Sequence, residues 1–378
     1  MREAKRYVLA AGGTGGHMVP AAALAAELTK RGHRVALVSD ERGVRFPGLF
    51  EDIQTHVLPV GRFSGKNPLN WVKAASQMWR GRRMAGELYK SFDPDAVIGF
   101  GGYPALPALL AAFKQGVPTV IHEQNAVLGR VNRMVAGKVD AIATAYAGVE
   151  RLDSKYRRKT HLVGNPVRAE VLVLRHRPYP MLDENGIFRV LVTGGSQGAS
   201  ILSQVVPDGL AMLPIHFRRR MQVTHQARIE DIDRVRAKYA EHKIPAEIAT
   251  YLPDMPEKLA WAHIVIARAG ASTIAELTAA GRPAILVPLP SAMDDHQSAN
   301  AKEITEAGGA RTIVQKNFTP SELAKQMQRL GLDTRGLENA ALRARGCGRP
   351  DAVRDLADLI ATVERGHADA PERGEHAR

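Results

Sequence analysis

Two glycine-rich stretches hold the residue types that cradle a phosphate. The first is Gly12-Gly13-Thr14-Gly15-Gly16-His17; the second, one half-chain later, is Gly194-Gly195-Ser196-Gln197-Gly198. Val8, Leu9, Gly12, Gly13, Thr14 and Gly16 map at a constant offset onto Val190, Leu191, Gly194, Gly195, Ser196 and Gly198. Each copy reads as an apolar strand, a loop of glycines with one hydroxyl, and then a helical pattern, which is how a nucleotide or phosphate loop is assembled. Glycine tolerates positive φ and lets backbone N–H groups approach an anion. One such loop alone is as readily a tight turn without a ligand. Two in register, each opening a half-chain, predict an α/β protein of two Rossmann-like, doubly wound domains facing a cleft that holds the ligand.

Other residues could act around these loops. Glu276 follows Thr273 by three, the spacing of a capping box. It also stands one turn into the helix opened by RAGAST, where a carboxylate can accept both hydroxyls of a ribose, and ribose binding is the favoured reading. His17 ends the first loop and, with an ordinary pKa near neutrality, serves equally as general base or phosphate binder. His122, Glu123 and Asn125 follow a strand and could grip an acceptor hydroxyl. Arg168, after Asn165 and Pro166, could reach the phosphates of either domain or be an exposed arginine at a turn. Asp294, Asp295 and His296 are consecutive and point in different directions on a helix; Asp294 with Gln297 is expected to cap it, leaving His296, Gln297 and Asn300 for a polar ligand. The pairs Asp93/Asp95 and Asp231/Asp233 resemble the metal-holding DxD of some sugar transferases. The first precedes a strand, at the edge away from ligands, and the second falls in a charged helix. No metal and no cofactor is expected; the positive helix end at Gly194 to Gly198 would stabilise a diphosphate leaving group.

The elements that must place these residues alternate strand and helix. Strands are expected at Tyr7 onward, in HRVALVSD, over 52–60, 96–100, 118–121, 141–144 and 161–163, and then at 189–193, 221–224, 263–266 and 284–288. That puts Gly101 to Tyr103 and His122 to Asn125 at carboxyl ends of strands, where open α/β sheets bind ligands. GNPVR is the candidate hinge. A final amphipathic helix over 351–365 precedes a polar tail expected to be disordered. The helix over 71–90 is odd: Trp71, Met78 and Trp79 lie toward one side, with Lys73, Arg80, Arg82 and Arg83 crowding nearby. It is either an ordinary amphipathic helix with core tryptophans or a docking surface at the boundary of lipid and water.

Composition narrows the classes. A chain of 378 residues with 45% apolar content can build two cores. The single cysteine, Cys347, sits in a loop-like GCGRP segment and cannot pair within the chain, which suggests a reducing compartment. The amino-terminal apolar stretch is too short for a secretory signal, and glycines and prolines break the uncharged run over 96–113. A formal charge of +13 points to an anionic partner. No zinc-ligand spacing, aromatic RNA-binding signature or helix-turn-helix pattern supports nucleic acid.

Taken in order, GGTGGH, GFGGYP, HEQN, GNPVR, GGSQGA, RAGAST..E and DDHQ..NA resemble the MurG family, the UDP-N-acetylglucosamine (UDP-GlcNAc) transferases that act on lipid-linked muramyl-pentapeptide in peptidoglycan synthesis. The resemblance runs from about Tyr7 to the last helix. It implies a GT-B fold with an acceptor and membrane-associating domain at 1–165, a donor domain at 166–349, a helix at 350–365 crossing back to the first domain, and the tail at 366–378. The donor would meet Glu276 at its ribose, Ser196, Gln197, Gly198 and Arg168 near the diphosphate, and Leu252, Arg268, Gly270, Ala271, Ser272 and Thr273 around the nucleotide. His296 and Gln297 would lie at the sugar. The acceptor would use Thr14, Gly15, Gly16, His17, Tyr103 and Asn125, with His17, Glu123 and Asn125 as catalytic candidates. Trp71, Met78, Trp79, Arg80, Arg82 and Arg83 would attach the enzyme peripherally to the anionic cytoplasmic face of the inner membrane. Two places depart from the best-known members: His296-Gln297 stands where several carry a glutamine pair, and PALP follows Gly102-Tyr103 in place of a serine and glycine turn. The implied reaction is an inverting transfer from UDP-GlcNAc to the 4-hydroxyl of the muramyl sugar. UDP-GlcNAc 2-epimerase and a non-catalytic nucleotide-sugar binder are the alternatives on the same fold.

Overall fold

The computed structural model describes residues 4–44, 48–61, 68–183, 185–195, 198–290, 292–331 and 333–368. Ser196, Gln197, residues 62–67 and the tail beyond 368 lie outside the described residues.

The first strand, β1 (Arg6–Ala10), shows why its sheet is buried on both faces. Tyr7 and Leu9 enter one core cluster, while Val8 and Ala10 enter another. A strand apolar on both sides belongs inside a parallel sheet covered by helices. It is joined by β2 (Arg34–Ser39), β3 (Gln54–Val57), β4 (Ala96–Gly99), β5 (Thr119–Glu123), β6 (Ala141–Thr144) and β7 (Thr160–Leu162). The order is β3-β2-β1-β4-β5-β6-β7, parallel throughout. Chain order reverses between β1 and β4, and at such a switch point the loops leaving the carboxyl ends splay apart to admit a ligand. The loops there are the first glycine loop and GFGGYP. Where Gly12 passes Pro104 the two loops nevertheless touch: a Cβ on Gly12 would stand 2.4 Å from Pro104 Cγ, so only glycine fits. Pro104 also occupies the position before the helix Ala105–Gln115.

The last helix, Ala352–Ala368, buries Leu356, Leu359 and Ile360 in the core of this same sheet, beside the helix Gly15–Lys30. Tyr7 donates to Glu364 Oε2 at 2.9 Å, and Lys5 pairs with Glu364 Oε1 at 2.9 Å. One compact unit therefore takes in Met1–Pro166 and Asp351–Arg378; the other is Val167–Pro350, the division falling inside GNPVR.

The second unit repeats the plan with β8 (Phe188–Thr193), β9 (Met221–Gln226), β10 (Ala246–Ala249), β11 (Ile264–Ala267), β12 (Ala284–Leu286) and β13 (Ala310–Thr312). Their order is β10-β9-β8-β11-β12-β13, again parallel, and its switch point brings the second glycine loop beside RAGAST. Val190 and Val192 face one core and Leu191 the other. Arg282, 1% exposed, donates to the carbonyls of Leu259, Ala260, Ala280 and Gly281, capping the carboxyl ends of two helices.

Several expected boundaries change. The strand over 52–60 contracts to Gln54–Val57, and β10 and β13 form where no strand was expected. Both are short edge strands, too brief to show alternation. Cys347 ends the helix Thr334–Cys347 rather than sitting in a loop, because the GCG pair does not break the helix until Gly348. The tryptophan helix runs from Pro68 to Phe92. Trp71 and Trp79 are 52% and 62% exposed, whereas Met78 packs against the core and so leaves the expected apolar surface.

Candidate active site

In the first unit, Gly13 has φ 85° and turns the chain so that the helix Gly15–Lys30 starts directly beneath the loop. Thr14 stands at the cap position without capping it, the first turn holds no acid, and among the described residues nothing accepts from the N–H of Gly15 or Gly16. These are the orphan donors that make a helix start an anion site. His17 Nδ1 lies 3.0 Å from the Gly12 carbonyl. A carbonyl only accepts, so the neutral ring carries its proton on Nδ1 and its lone pair on Nε2, the form a base requires. Nε2 borders the GFGGYP loop of the same unit: a Cβ on Gly101 would meet it at 3.3 Å. Tyr103, half-buried, follows in that loop.

The HEQN segment is organised differently from expectation. Glu123 is 2% exposed, and its carboxylate accepts four hydrogen bonds: from Asn125 N and Nδ2 at 3.0 and 3.1 Å, Gly129 N at 2.8 Å and Asn132 Nδ2 at 2.8 Å. Such a carboxylate is already filled, so Glu123 orients Asn125 and its loop; the geometry does not leave it poised to take a proton. His122 is fully buried, its Nε2 donating to Gly164 O at 2.9 Å while Gln124 Nε2 lies 3.1 Å from Nδ1. Burial pushes its pKa down to about 4, and it is a neutral internal tie rather than a ligand group. Gln124 and Asn132 complete this network. No spacing in the sequence marked them, since each pairs through the fold.

In the second unit, Gly195 has φ 76°, the same turn at the matching loop position as Gly13. Gly198 adds a second left-handed residue at φ 65°, which delays the helix start to Ser200–Ala211. That helix also lacks a side-chain cap and a first-turn acid. So does the helix Ala271–Ala280 beyond RAGAST, where Gly270 holds the cap position. Thr273 therefore caps nothing, and Glu276 is not the partner in a capping box. Instead its Oε1 accepts from Arg168 Nη2 at 2.7 Å and Nε at 3.0 Å, while Oε2 takes no bond among the described residues. The Glu276 side chain is 13% exposed. Burial lifts its carboxyl above the usual range against the opposing pull of Arg168. Ser272 Oγ, at the start of the same helix, is buried and unpartnered. An open carboxylate oxygen and an unpaired hydroxyl at one helix start are what a polar ligand would complete.

Other expected donor contacts move. Arg268, 9% exposed, donates to Val287 O, Pro288 O and Gln315 Oε1, so its guanidinium is committed to the protein. The Leu252 side chain belongs to the core. Gln297 Oε1 accepts from Leu289 N at 3.0 Å, and Asp295, not Asp294, stands before the helix His296–Glu306 with φ 51°. His296 is half-buried at the first position of that helix. Asn300 is buried, its Nδ2 donating to Ala269 O. Ser196 and Gln197 fall outside the described residues. Both DxD pairs are spent on ion pairs, Asp93 and Asp95 with Arg6 and Lys5, Asp231 and Asp233 with Arg234 and Arg236. Among the described residues no three His, Cys, Asp or Glu side chains gather as a metal site.

Two parallel Rossmann-like units, each with uncapped helix starts at its switch point, define a fold of the GT-B type. The models of the glycosyltransferase family 28 N-terminal and C-terminal domains match residues 7–144 and 189–356. The chain belongs to glycosyltransferase family 28, within its MurG members. It is 63% identical, over 96% of its length and 94% of the other's, to the UDP-N-acetylglucosamine–N-acetylmuramyl-(pentapeptide) pyrophosphoryl-undecaprenol N-acetylglucosamine transferase of Zymomonas mobilis. The crystal structure of MurG from Acinetobacter baumannii superposes with a TM-score of 0.74 at 29% identity, covering 95% of this chain and 99% of that one. A UDP-GlcNAc 2-epimerase from Neisseria meningitidis reaches 0.61 at 13% identity, covering 94% and 100%, a likeness of fold alone.

Proposed function

We infer that this enzyme transfers N-acetylglucosamine from UDP-GlcNAc to the 4-hydroxyl of undecaprenyl-diphosphate-linked N-acetylmuramyl-pentapeptide, the step from lipid I to lipid II in peptidoglycan synthesis. The near-complete match to the Zymomonas transferase carries the reading. The second unit takes the donor: Glu276 Oε2 accepts the ribose hydroxyls, and the diphosphate lies at the starts of the helices Ser200–Ala211 and Ala271–Ala280. Those fixed N–H dipoles stabilise the charge that grows on the leaving UDP without a metal ion. The first unit takes the acceptor, its diphosphate at the Gly13–Gly16 loop. His17 Nε2 removes the proton as the hydroxyl attacks the anomeric carbon; the bond to UDP breaks and the new linkage is β. Asn125, aimed by Glu123, and Tyr103 orient the acceptor sugar.

Trp71 and Trp79, exposed beside Lys73, Arg80 and Arg83, support peripheral docking to the anionic cytoplasmic face of the inner membrane. Among the described residues no helix is long and apolar enough to cross a membrane. The test supplies UDP-GlcNAc alone, then with a short-chain lipid-linked muramyl-pentapeptide, and follows products by mass spectrometry and NMR. A β-linked disaccharide is expected only with acceptor. Conversion of UDP-GlcNAc alone to the manno sugar would assign the epimerase reaction, and nucleotide-sugar binding without any product would make the chain a binder.

A further inference from the structure

Asp40 follows β2 at the ligand edge of the first sheet, and its carboxylate is a junction. Oδ1 accepts from Gly13 N at 3.1 Å and Gly43 N at 2.9 Å; Oδ2 accepts from Arg42 Nη2 at 3.0 Å and Nε at 3.3 Å. Asp40 is 9% exposed. Two donors on one oxygen fix the Arg42 guanidinium, and they fix it on the glycine loop: a Cβ on Gly13 would lie 3.0 Å from Nη2. The Arg42 side chain is 49% exposed, and its Nη1 makes no hydrogen bond among the described residues.

The second unit supports its loop with neutral groups. Gly195 N donates to Thr193 Oγ1 at 3.2 Å, and Thr193 Oγ1 donates to Gln226 Oε1 at 2.7 Å. In the first unit a buried negative charge does this work, and by itself it would repel a phosphate brought to the Gly15 and Gly16 N–H groups. Arg42 cancels that charge and brings uncommitted donors to the same place. A planar fork is suited to a phosphate group.

We propose that Arg42, pinned over Gly13 by Asp40, clamps the diphosphate of the lipid-linked acceptor at the first glycine loop, with Asp40 as its positioning residue. This rests on reading the first unit as the acceptor unit. The test measures both KM values on the full chain with UDP-GlcNAc and a short-chain prenyl-diphosphate muramyl-pentapeptide. Arg42→Met should raise the acceptor KM at least about tenfold and leave the donor KM within about twofold. Arg42→Lys, which keeps charge but not the fork, should give a smaller rise and serves if the methionine variant does not fold. Geranyl diphosphate, lacking sugar and peptide, should compete with the acceptor, and its Ki should rise in parallel with KM. Asp40→Asn should raise acceptor KM and geranyl diphosphate Ki while kcat is retained, a split that general loosening of the fold would not produce. Asn125→Ala is the reference for the acceptor unit. If it raises acceptor KM while Arg42→Met changes neither acceptor KM nor Ki, the clamp is wrong and the acceptor unit stands. If donor KM rises instead, or acceptor KM responds to none of these changes, the unit assignment falls with the clamp. If Arg42→Met lowers co-sedimentation with phosphatidylglycerol vesicles and leaves Ki unchanged, the guanidinium serves a phospholipid and the clamp is again overturned.

Discussion

Glu276→Ala probes the donor site with the fewest intermediaries. Both Arg168 bonds land on Oε1, at 2.7 and 3.0 Å, so Oε2 is the oxygen available to a ribose. A hydrogen bond to a charged group contributes about 1.5–3 kcal/mol, and the ribose hydroxyls regain water when it is lost. A net loss of about 2–3 kcal/mol raises the Kd for UDP about 30- to 140-fold. Stability should change less. The Arg168 side chain is 26% exposed and can be rehydrated, so stranding it costs about 1 kcal/mol, a fall in Tm of only a few degrees. Glu276→Gln keeps one acceptor oxygen for the ribose and should fall between parent and alanine variant. Isothermal titration with UDP, paired with thermal melts, reads both quantities. A Kd in Glu276→Ala within about twofold of the parent, in a folded protein, would refute the ribose role.

His17→Ala should lower kcat by about 10²–10³ while donor KM holds, as expected for loss of a general base. Parent-like kcat in His17→Gln, which cannot carry the proton, would reduce His17 to a binding group. Trp71→Ser with Trp79→Ser should reduce co-sedimentation with phosphatidylglycerol vesicles while turnover of a soluble short-chain acceptor is kept; unchanged sedimentation removes the docking surface. For Asp40, burial alone would raise the carboxyl pKa, but the bonds from Gly43 N, Arg42 and Gly13 N bring it below the usual value. A lowered folded pKa means the stabilisation is present above the unfolded value of about 3.9 and is lost as pH falls through the folded one. The Tm gap between parent and Asp40→Asn should therefore be constant near neutrality and shrink below about pH 4; a gap that persists at the acid end contradicts it.

Much of this architecture could be read from the chain because its two halves state it twice. The strand-loop-helix repeat gives two parallel sheets, and glycine at positions 13 and 195 takes a matching left-handed turn in each. Glu276 was visible because RAGAST announces a helix start. What stayed hidden depends on pairings across the fold. Asp40 reaches Gly13, and Asn132 reaches Glu123, through contacts that no periodicity encodes. Glu123 looked free to grip an acceptor hydroxyl until its four donors were in place, and Arg268 looked like a nucleotide contact until Val287, Pro288 and Gln315 claimed it. A titratable side chain near a strand end is visible in sequence; whether its hydrogen-bonding capacity is already used is a property of the fold.

The most direct test of the division of labour between the two units is a crystal structure of the full chain soaked with UDP. The expected result places the ribose hydroxyls on Glu276 Oε2 and the phosphates at the starts of the Ser200–Ala211 and Ala271–Ala280 helices. UDP seated instead on Gly13 to Gly16, beside His17, would contradict it.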